Sequence, residues 1–473
     1  MDDPIPALLH CPALHARAST AGDVDRHARR SVILRGLAAI GTSALWGCSG
    51  ASEPDVATPP RMTRQVRPQG GRQSDPRPLP PTREPIVRVL AERFPTSGLE
   101  LRIESTQPWV RIRDDSDRGG AVLASPLVIT SLGDRWRIES ASAPAIRVPV
   151  GVLTLTSVGS RGEAGEISVA SGPEAAPQPL GTTLALVPNR DEVDLVTHLP
   201  IERYLPGVLA RELFGHWSIQ VFRAQAVAAR SFAVCEAAHW SGRRHYDLTR
   251  GGASQAWVGL VESGRAAESA RETRGVLLTW DTKVVPGYYC SCCGGLPADA
   301  SDAIGSNPAN AIPPLAGRSD GGGCCESSPT WRWRRRLDLS GLSAGLALWA
   351  RREQAVDLAE FDRLAAVEVS AVNRHGRPVR YRFEDVRGRT AELRGERARR
   401  ALEAAAPEAS DRFLSAAFEA EVASGHASFE GCGHGHGVGL CQYGAEAMGR
   451  RGVSHLEILG RYYPGSIPIS CWG

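Results

Sequence analysis

Ile201-Glu202-Arg203-Tyr204-Leu205-Pro206-Gly207-Val208-Leu209-Ala210-Arg211-Glu212-Leu213-Phe214-Gly215-His216-Trp217 runs directly into Ser218-Ile219-Gln220-Val221-Phe222-Arg223-Ala224-Gln225-Ala226-Val227-Ala228-Ala229-Arg230-Ser231-Phe232-Ala233-Val234. Leu205, Val208 and Leu209 recur at helical spacing until Gly215 interrupts the run, which predicts a first helix ending near Glu212. Ser218 is a suitable N-cap for a second helix, whose alanine-rich sequence lets neighbouring backbone approach and so predicts an interior position. Glu212 stands just before the break, beside Leu213, Phe214 and Trp217. Apolar surroundings of this kind raise a carboxyl pKa and suit it to general acid work; an exposed glutamate in a last helical turn is the plain alternative. Arg223 and Arg230 lie seven residues apart, hence on one helix face, separated by Ala226 and Val227.

The bounds set by composition are broad. A chain of 473 residues with 42% hydrophobic content is long enough for two to three domains with real cores. Lys+Arg of 55 against Asp+Glu of 52 leaves +3, Lys283 is the single lysine, and Arg332–Arg336 is a short basic run, so nucleic-acid binding has no electrostatic footprint. Arg29-Arg30 precede an apolar run from Ser31 to Trp46 that closes on Leu45-Trp46-Gly47-Cys48. That pattern predicts an export signal over residues 1–48 with a lipoprotein-type cleavage site, Cys48 being the lipidated residue; the run is too short and glycine-rich to span a membrane well. The expected location is therefore outside the cytoplasm, membrane-anchored, in a periplasm or at a cell surface. Residues 49–85 are rich in proline and arginine and read as a disordered tether.

From residue 86 to about 180 the pattern alternates. Leu99–Glu104, Trp109–Arg113 and Arg135–Ile138 each place apolar residues on one face, as half-buried strands do, and the alternation runs on into Leu184–Val187 and Val193–Val196. Downstream, a helix over Glu262–Thr273 and a strand over Val276–Trp280 are predicted, then a strand over Arg377–Phe383 and helices over Glu396–Ala405 and about Phe413. The whole reads as α+β: a β-rich N-terminal portion, residues 86–180, and a mixed helix/strand body, residues 181–473.

The opening stretch resembles the core of the SpoIID/LytB family, stage II sporulation protein D and its relatives. That core reads Leu-Glu-x-Tyr-Leu-x-Gly-Val-x-x-x-Glu followed by Ala-Leu-Lys-Ala-Gln-Ala-Val-Ala-Ala-Arg. A second hallmark stands at Gly433-His434-Gly435-His436-Gly437-Val438-Gly439-Leu440-Cys441-Gln442-Tyr443-Gly444-Ala445, closing with Tyr462-Tyr463-Pro464-Gly465. The resemblance covers roughly residues 180 to 470 and implies a body enclosing a long cleft. It further implies a peptidoglycan lytic transglycosylase that acts on glycan strands stripped of stem peptides, with Glu212 as the single acid/base and no cofactor in the reaction. An alternative within the family is a wall-binding amidase enhancer that stimulates an N-acetylmuramoyl-L-alanine amidase. A glycan-binding envelope lipoprotein without turnover is a third reading. Involvement in sporulation does not follow.

Site residues follow by position. Arg223 and Arg230 suit lactyl carboxylates of the glycan. Asp247, Ser254 and Gln255 are expected either to bind sugar hydroxyls or to satisfy their own loop backbone, and Trp257, where the family has tyrosine, to stack on a pyranose. Tyr289, His436 and Gln442 complete the expected binding set, His436 also as a buried histidine that orders its loop beside Glu212. His434 replaces a more usual tryptophan and Cys441 a usual serine. In Tyr288-Tyr289-Cys290-Ser291-Cys292-Cys293-Gly294-Gly295, Cys290 stands where the family has histidine. Without Cys11 and Cys48, nine cysteines remain, an odd number that precludes complete pairing within one chain. Cys290, Cys293, Cys324 and Cys325 make a candidate structural zinc site, as some family members bind zinc near this loop; disulfides favoured by an oxidising compartment are the equal alternative.

Overall fold

The computed structural model describes residues 75–115, 120–172, 174–252, 254–318, 324–406, 408 and 412–473. The expected signal, Cys48 and most of the tether lie outside the described residues. Among the described helices none is long and apolar enough to cross a membrane.

The alternating stretches form two antiparallel sheets. In the first, Leu248–Thr249, Ile86–Pro95, Glu192–Pro200, Thr183–Asn189, Leu153–Val158, Trp109–Arg113 and Ala121–Ala124 lie side by side, only the short Leu248–Thr249 strand running parallel to its neighbour. The second orders Gln178–Gly181, Ile167–Ser171, Glu100–Ser105, Leu127–Ser131, Arg135–Ser140 and Ala143–Pro149. Period-2 alternation sends Val110 and Ile112 from one sheet, and Leu101, Ile103, Ile129 and Trp136 from the other, into one buried core. The predicted strands match these elements, Leu99–Glu104 beginning one residue before the observed Glu100–Ser105, and the fold is α+β.

The same core continues into the helices. Helix α1 spans Ile201–Glu212 and α2 spans Ile219–Trp240, with Ser218 accepting the Gln220 N–H as N-cap. Val221 to Val234 of α2 are buried apart from Arg223, as the alanine content predicts. Helix α3, Gly264–Glu272, packs against both. The predicted strand at Val276–Trp280 is present and pairs with Ile467–Ser470.

Composition assigns residues 75–85 to the tether, yet they pack on the body. Arg77 is buried, pairs with Asp75 at 2.8 Å, donates to the Trp280 carbonyl at 3.0 Å and lies 5.1 Å over the Trp280 ring. Sequence patterning misses this because polar and backbone contacts, among them Val284 N–H to the Pro78 carbonyl at 2.9 Å and Glu84 with Arg274, rather than an apolar period, hold the segment.

A second core lies within residues 333–429 and gathers Leu337, Leu346, Tyr381, Phe383, Leu402 and Phe429. Two three-stranded sheets build it: Arg332–Asp338, His426–Cys432 and Phe418–Ala423, then Leu364–Val372, Pro378–Asp385 and Thr390–Arg394. Helices Leu339–Arg352 and Gly395–Ala405 cover them, the second matching the predicted Glu396–Ala405. Among the described residues about Phe413, 412–417, the expected helix is not formed. Phe413 instead sits outside any helix or strand, buried edge-on against Trp333 at 5.7 Å and Phe429 at 4.9 Å. Tertiary burial overrides the local pattern there.

Candidate active site

Helix α1 ends where Leu213 turns extended, its N–H reaching back to the Leu209 carbonyl at 3.1 Å. This leaves Glu212 at the C-terminal end of a buried helix. Gly207, one turn and a half earlier, is required by a close approach: a Cβ there would stand 2.0 Å from the Gly259 carbonyl and 2.5 Å from Trp257 Nε1. The approach brings the Ser254–Val258 loop onto α1, and Ala256 N–H then donates to Glu212 Oε1 at 3.0 Å.

Two further donors arrive through a short parallel bridge in which Tyr289 and Cys290 pair with Leu440 and Cys441. Tyr289 hydroxyl donates to Oε1 at 3.4 Å, and Gln442, the residue after Cys441, donates its Nε2 to Oε2 at 3.3 Å. Glu212 is 8% exposed. Desolvation dominates over these donors and pushes its carboxyl up to about 8, so at neutral pH it holds its proton. Oε1 receives two donors and Oε2 one, which leaves Oε2 the better place for a transferable proton.

His436 is 4% exposed, accepts the Val438 N–H on Nδ1 at 3.0 Å and hydrogen-bonds the Tyr289 backbone. Burial holds it down at about 4, so it is neutral. Its place is that of a loop-ordering histidine behind Tyr289. Burial likewise lowers His434 to about 4.

The other expected binding residues sit elsewhere. Arg230 is fully enclosed, paired with Glu202 at 2.8 Å and donating to the carbonyls of Ala270 and Val276, so it ties α2 to α1 and α3 rather than facing solvent. Arg223 pairs with Glu272 of α3 at 2.7 Å. Asp247 is buried and accepts from both the backbone and the guanidinium of Arg88. Gln255 is buried, accepting from Tyr204 hydroxyl and donating to the Ala229 carbonyl. Ser254 Oγ accepts the Thr249 N–H at 3.2 Å. Trp257, 2% exposed, lies 6.0 Å from the Tyr204 ring and offers no open face for stacking. Ser254, Gln255 and Trp257 belong to the loop that presents Ala256.

The open aromatic is Phe214, 53% exposed. Its ring lies 5.3 Å from Trp217, which in turn meets Tyr443 edge-on at 5.0 Å. Of the residues flanking Glu212 in sequence, Leu213 and Trp217 are buried and Phe214 is not. A cavity of about 460 Å³ lies at the other end of α1, lined by Glu84, Glu202, Arg203, Pro206, Leu260 and Arg271. Two of its acids are already paired there, Glu84 with Arg274 and Glu202 with Arg230.

The thiols gather beside the Tyr289–Gln442 bridge. Cys290, Cys292, Cys293, Cys325 and Cys441 form one buried cluster of unbridged thiols. The sulfurs of Cys293, Cys325 and Cys441 all lie within 4.8 Å of one another, with Cys293 and Cys325 at 3.7 Å. Donation from Cys292, Cys293 and Cys441 holds the Cys325 thiol far below its ordinary value. Cys324 does not join: its sulfur accepts from Arg451 at 3.8 Å. Cys441, which the sequence marks only as a replaced serine, takes that place. Ala256 is the other residue that sequence reading misses, because a backbone donor leaves no side-chain signature.

With that geometry in place, similarity to known proteins is informative. Residues 189–280 match a family model described as stage II sporulation protein, SpoIID, and residues 319–439 match a domain of unknown function. The chain is 26% identical over 285 residues to an uncharacterized protein of Brachyspira hyodysenteriae, covering 60% of this chain and 70% of that one. It is 23% identical over 301 residues to the amidase enhancer of Bacillus subtilis, covering 55% of this chain but 40% of that protein's length. The first family match includes Glu212 and Ala256, while Tyr289 and Gln442 lie beyond it.

Proposed function

We propose, starting from the chain's membership of the SpoIID family and its cell-wall-related role, that it is a lytic transglycosylase of peptide-stripped peptidoglycan glycans. The observation that carries this reading is Glu212: enclosed, held by three neutral donors and protonated at neutral pH. Glu212 Oε2–H protonates the glycosidic oxygen as the C1–O4 bond breaks. The C6 hydroxyl of the same sugar closes on C1, and its proton returns to the carboxylate. No water is consumed, and one carboxyl serves as acid and then as base. Tyr289 and Ala256 stabilise the carboxylate in the interval. Phe214, rather than the enclosed Trp257, is the aromatic surface available to a sugar ring. Mass spectrometry of products from denuded glycans tests this: 1,6-anhydro ends support it, and reducing ends or no cleavage remove it.

The second reading is an amidase enhancer, favoured by the name of the Bacillus subtilis relative. Stimulation of a purified N-acetylmuramoyl-L-alanine amidase without glycan cleavage would select it. Export and lipid anchoring at Cys48 complete the proposal; Cys48→Ser is expected to shift the protein from the detergent phase to the soluble exported fraction.

The thiol cluster fits a structural zinc. Tetrahedral coordination with Zn–S of about 2.3 Å sets sulfurs about 3.8 Å apart, and Cys293 and Cys325 stand at 3.7 Å. Cys293, Cys325 and Cys441 would hold it, with Cys290 or Cys292 as the fourth ligand. The metal would fix the loop and take no part in the acid step.

A further inference from the structure

The hairpin turn joining Leu364–Val372 to Pro378–Asp385 belongs to the segment of unknown function, yet it ends on the loops that serve Glu212. Arg377 is 2% exposed. Its guanidinium donates to the carbonyls of Leu296 at 2.9 Å and Cys293 at 3.5 Å, and to that of Gly435 at 3.1 Å. The first two carbonyls belong to the loop after Tyr289, the third to the loop before Gln442. These loops also pair directly: Cys292 and His434 exchange backbone bonds of 3.1 and 2.7 Å, and Ala298 N–H reaches the Gly437 carbonyl at 2.9 Å.

The turn is itself seated on the first loop. Asn373 Nδ2 donates to the Pro297 carbonyl at 2.9 Å, while its Oδ1 accepts the N–H groups of Arg377 and His375. Arg374 and His375 both bond the Gly317 carbonyl at 2.7 Å. Gly437 answers the same contact from the other side. With φ at +79° and a Cβ that would fall 2.9 Å from Arg377 Cζ, it admits the guanidinium where another residue would not.

We infer that the body at residues 333–429 serves as a brace for the acid site, with Arg377 as the positioning residue that spans the Tyr289–Ala298 and Gly433–Gln442 loops. A planar fork with five donors can hold carbonyls from two loops at once; a lysine ammonium at the same place cannot reproduce that span. Tyr289 and Gln442 lie at the Glu212 end of these paired loops, so loss of the span displaces both donors together. The kinetic consequence rests on the transglycosylase reading, whereas the bracing itself does not.

The test uses the full-length chain with Arg377→Met and Arg377→Lys. In Arg377→Met, amide exchange is expected to quicken in Tyr289–Ala298 and Gly433–Gln442 together, while Gly395–Ala405 keeps its protection. Glycan turnover is expected to fall about 10- to 100-fold with KM within about twofold, since small misplacements at a reacting centre cost on this order. Arg377→Lys is expected to recover part of both. Unchanged exchange in the two loops, or faster exchange confined to Leu364–Asp385, overturns the inference. If the wild-type chain does not cleave glycans, the proposed reaction falls while the exchange result still decides the brace. If Arg377→Met does not fold, Arg377→Lys and Asn373→Ala decide it by the same exchange criterion.

Discussion

Glu202 and Glu212 close the two ends of one helix and live in opposite electrostatic worlds. Glu202 accepts from Arg230 at 2.8 Å and from the Gly275 N–H and Trp472 Nε1. Glu212, ten residues on, meets only the neutral donors Ala256, Tyr289 and Gln442. Glu202 shares its enclosure with a guanidinium, whereas for Glu212 desolvation outweighs its donors and the charge of Arg211 and pushes the carboxyl up to about 8.

Glu202→Gln therefore tests stability rather than catalysis. It leaves the enclosed Arg230 charge without its partner, and breaking a buried pair in this way costs about 3–5 kcal/mol. A urea midpoint well below wild type is expected. Glu262, an exposed side chain on the same flank, is the neutral control: Glu262→Gln is expected to leave both stability and activity near wild type. An unchanged midpoint in Glu202→Gln would show that Arg230 finds another partner.

Gly207→Ala probes the contact that delivers Ala256. The new methyl would meet the Gly259 carbonyl and the Trp257 indole, and overpacking of this kind costs about 1–3 kcal/mol. The Ser254–Val258 loop must retreat, so Ala256 loses its bond to Glu212. Circular dichroism melting should show the lower stability, and turnover should fall more than the residual folded fraction explains.

How much of this was legible depends on the kind of signal. Period-2 alternation gave the sheets around Trp109–Arg113 and Arg135–Ser140, and small residues gave the buried α2, because backbone geometry writes such patterns directly into sequence. Glu212 was singled out by the family resemblance, because its place before the Gly215 break suits an exposed last-turn glutamate equally well. The partners of Arg230 and Asp247 were not legible, since which carboxylate or arginine meets them is a matter of sequence separations such as that between Arg230 and Glu202 or Asp247 and Arg88. Arginine on a helix face reads the same whether it faces solvent or an enclosed acid. Cys441 was hidden for the same reason: it stands more than a hundred residues from Cys325, and only the strand bridge at Cys290–Cys441 brings it to the cluster.

The thiol cluster predicts a metal readout. The purified chain is expected to carry about one equivalent of zinc, released by a chelator with exposure of thiols and loss of stability. Cys441→Ser is expected to weaken retention, whereas Cys324→Ser is not, because the Cys324 sulfur faces Arg451. Metal content near zero with thiols appearing only after reduction would select disulfides instead.

Glu212 itself gives the sharpest expectation. Glu212→Gln keeps the shape and the contacts to Tyr289 and Ala256 but cannot release and regain a proton. General acid–base catalysis contributes about 100- to 10,000-fold, so turnover should fall by at least that factor while glycan binding persists. The pH profile follows from the carboxyl standing at about 8. The acid form, required at the start of the reaction, predominates below that pH, so kcat/KM should decline as pH rises through about 8, and the residual activity of Glu212→Gln should lack this limb. Stability moves in the same sense. The folded-state value exceeds the unfolded value of about 4.3, so the folded protein binds the proton more tightly. That contribution is complete below about 4.3 and is lost as pH rises towards 8. Wild-type-like turnover in Glu212→Gln would remove the residue as acid, and a limb that persists unchanged in the mutant would assign the titration to another group.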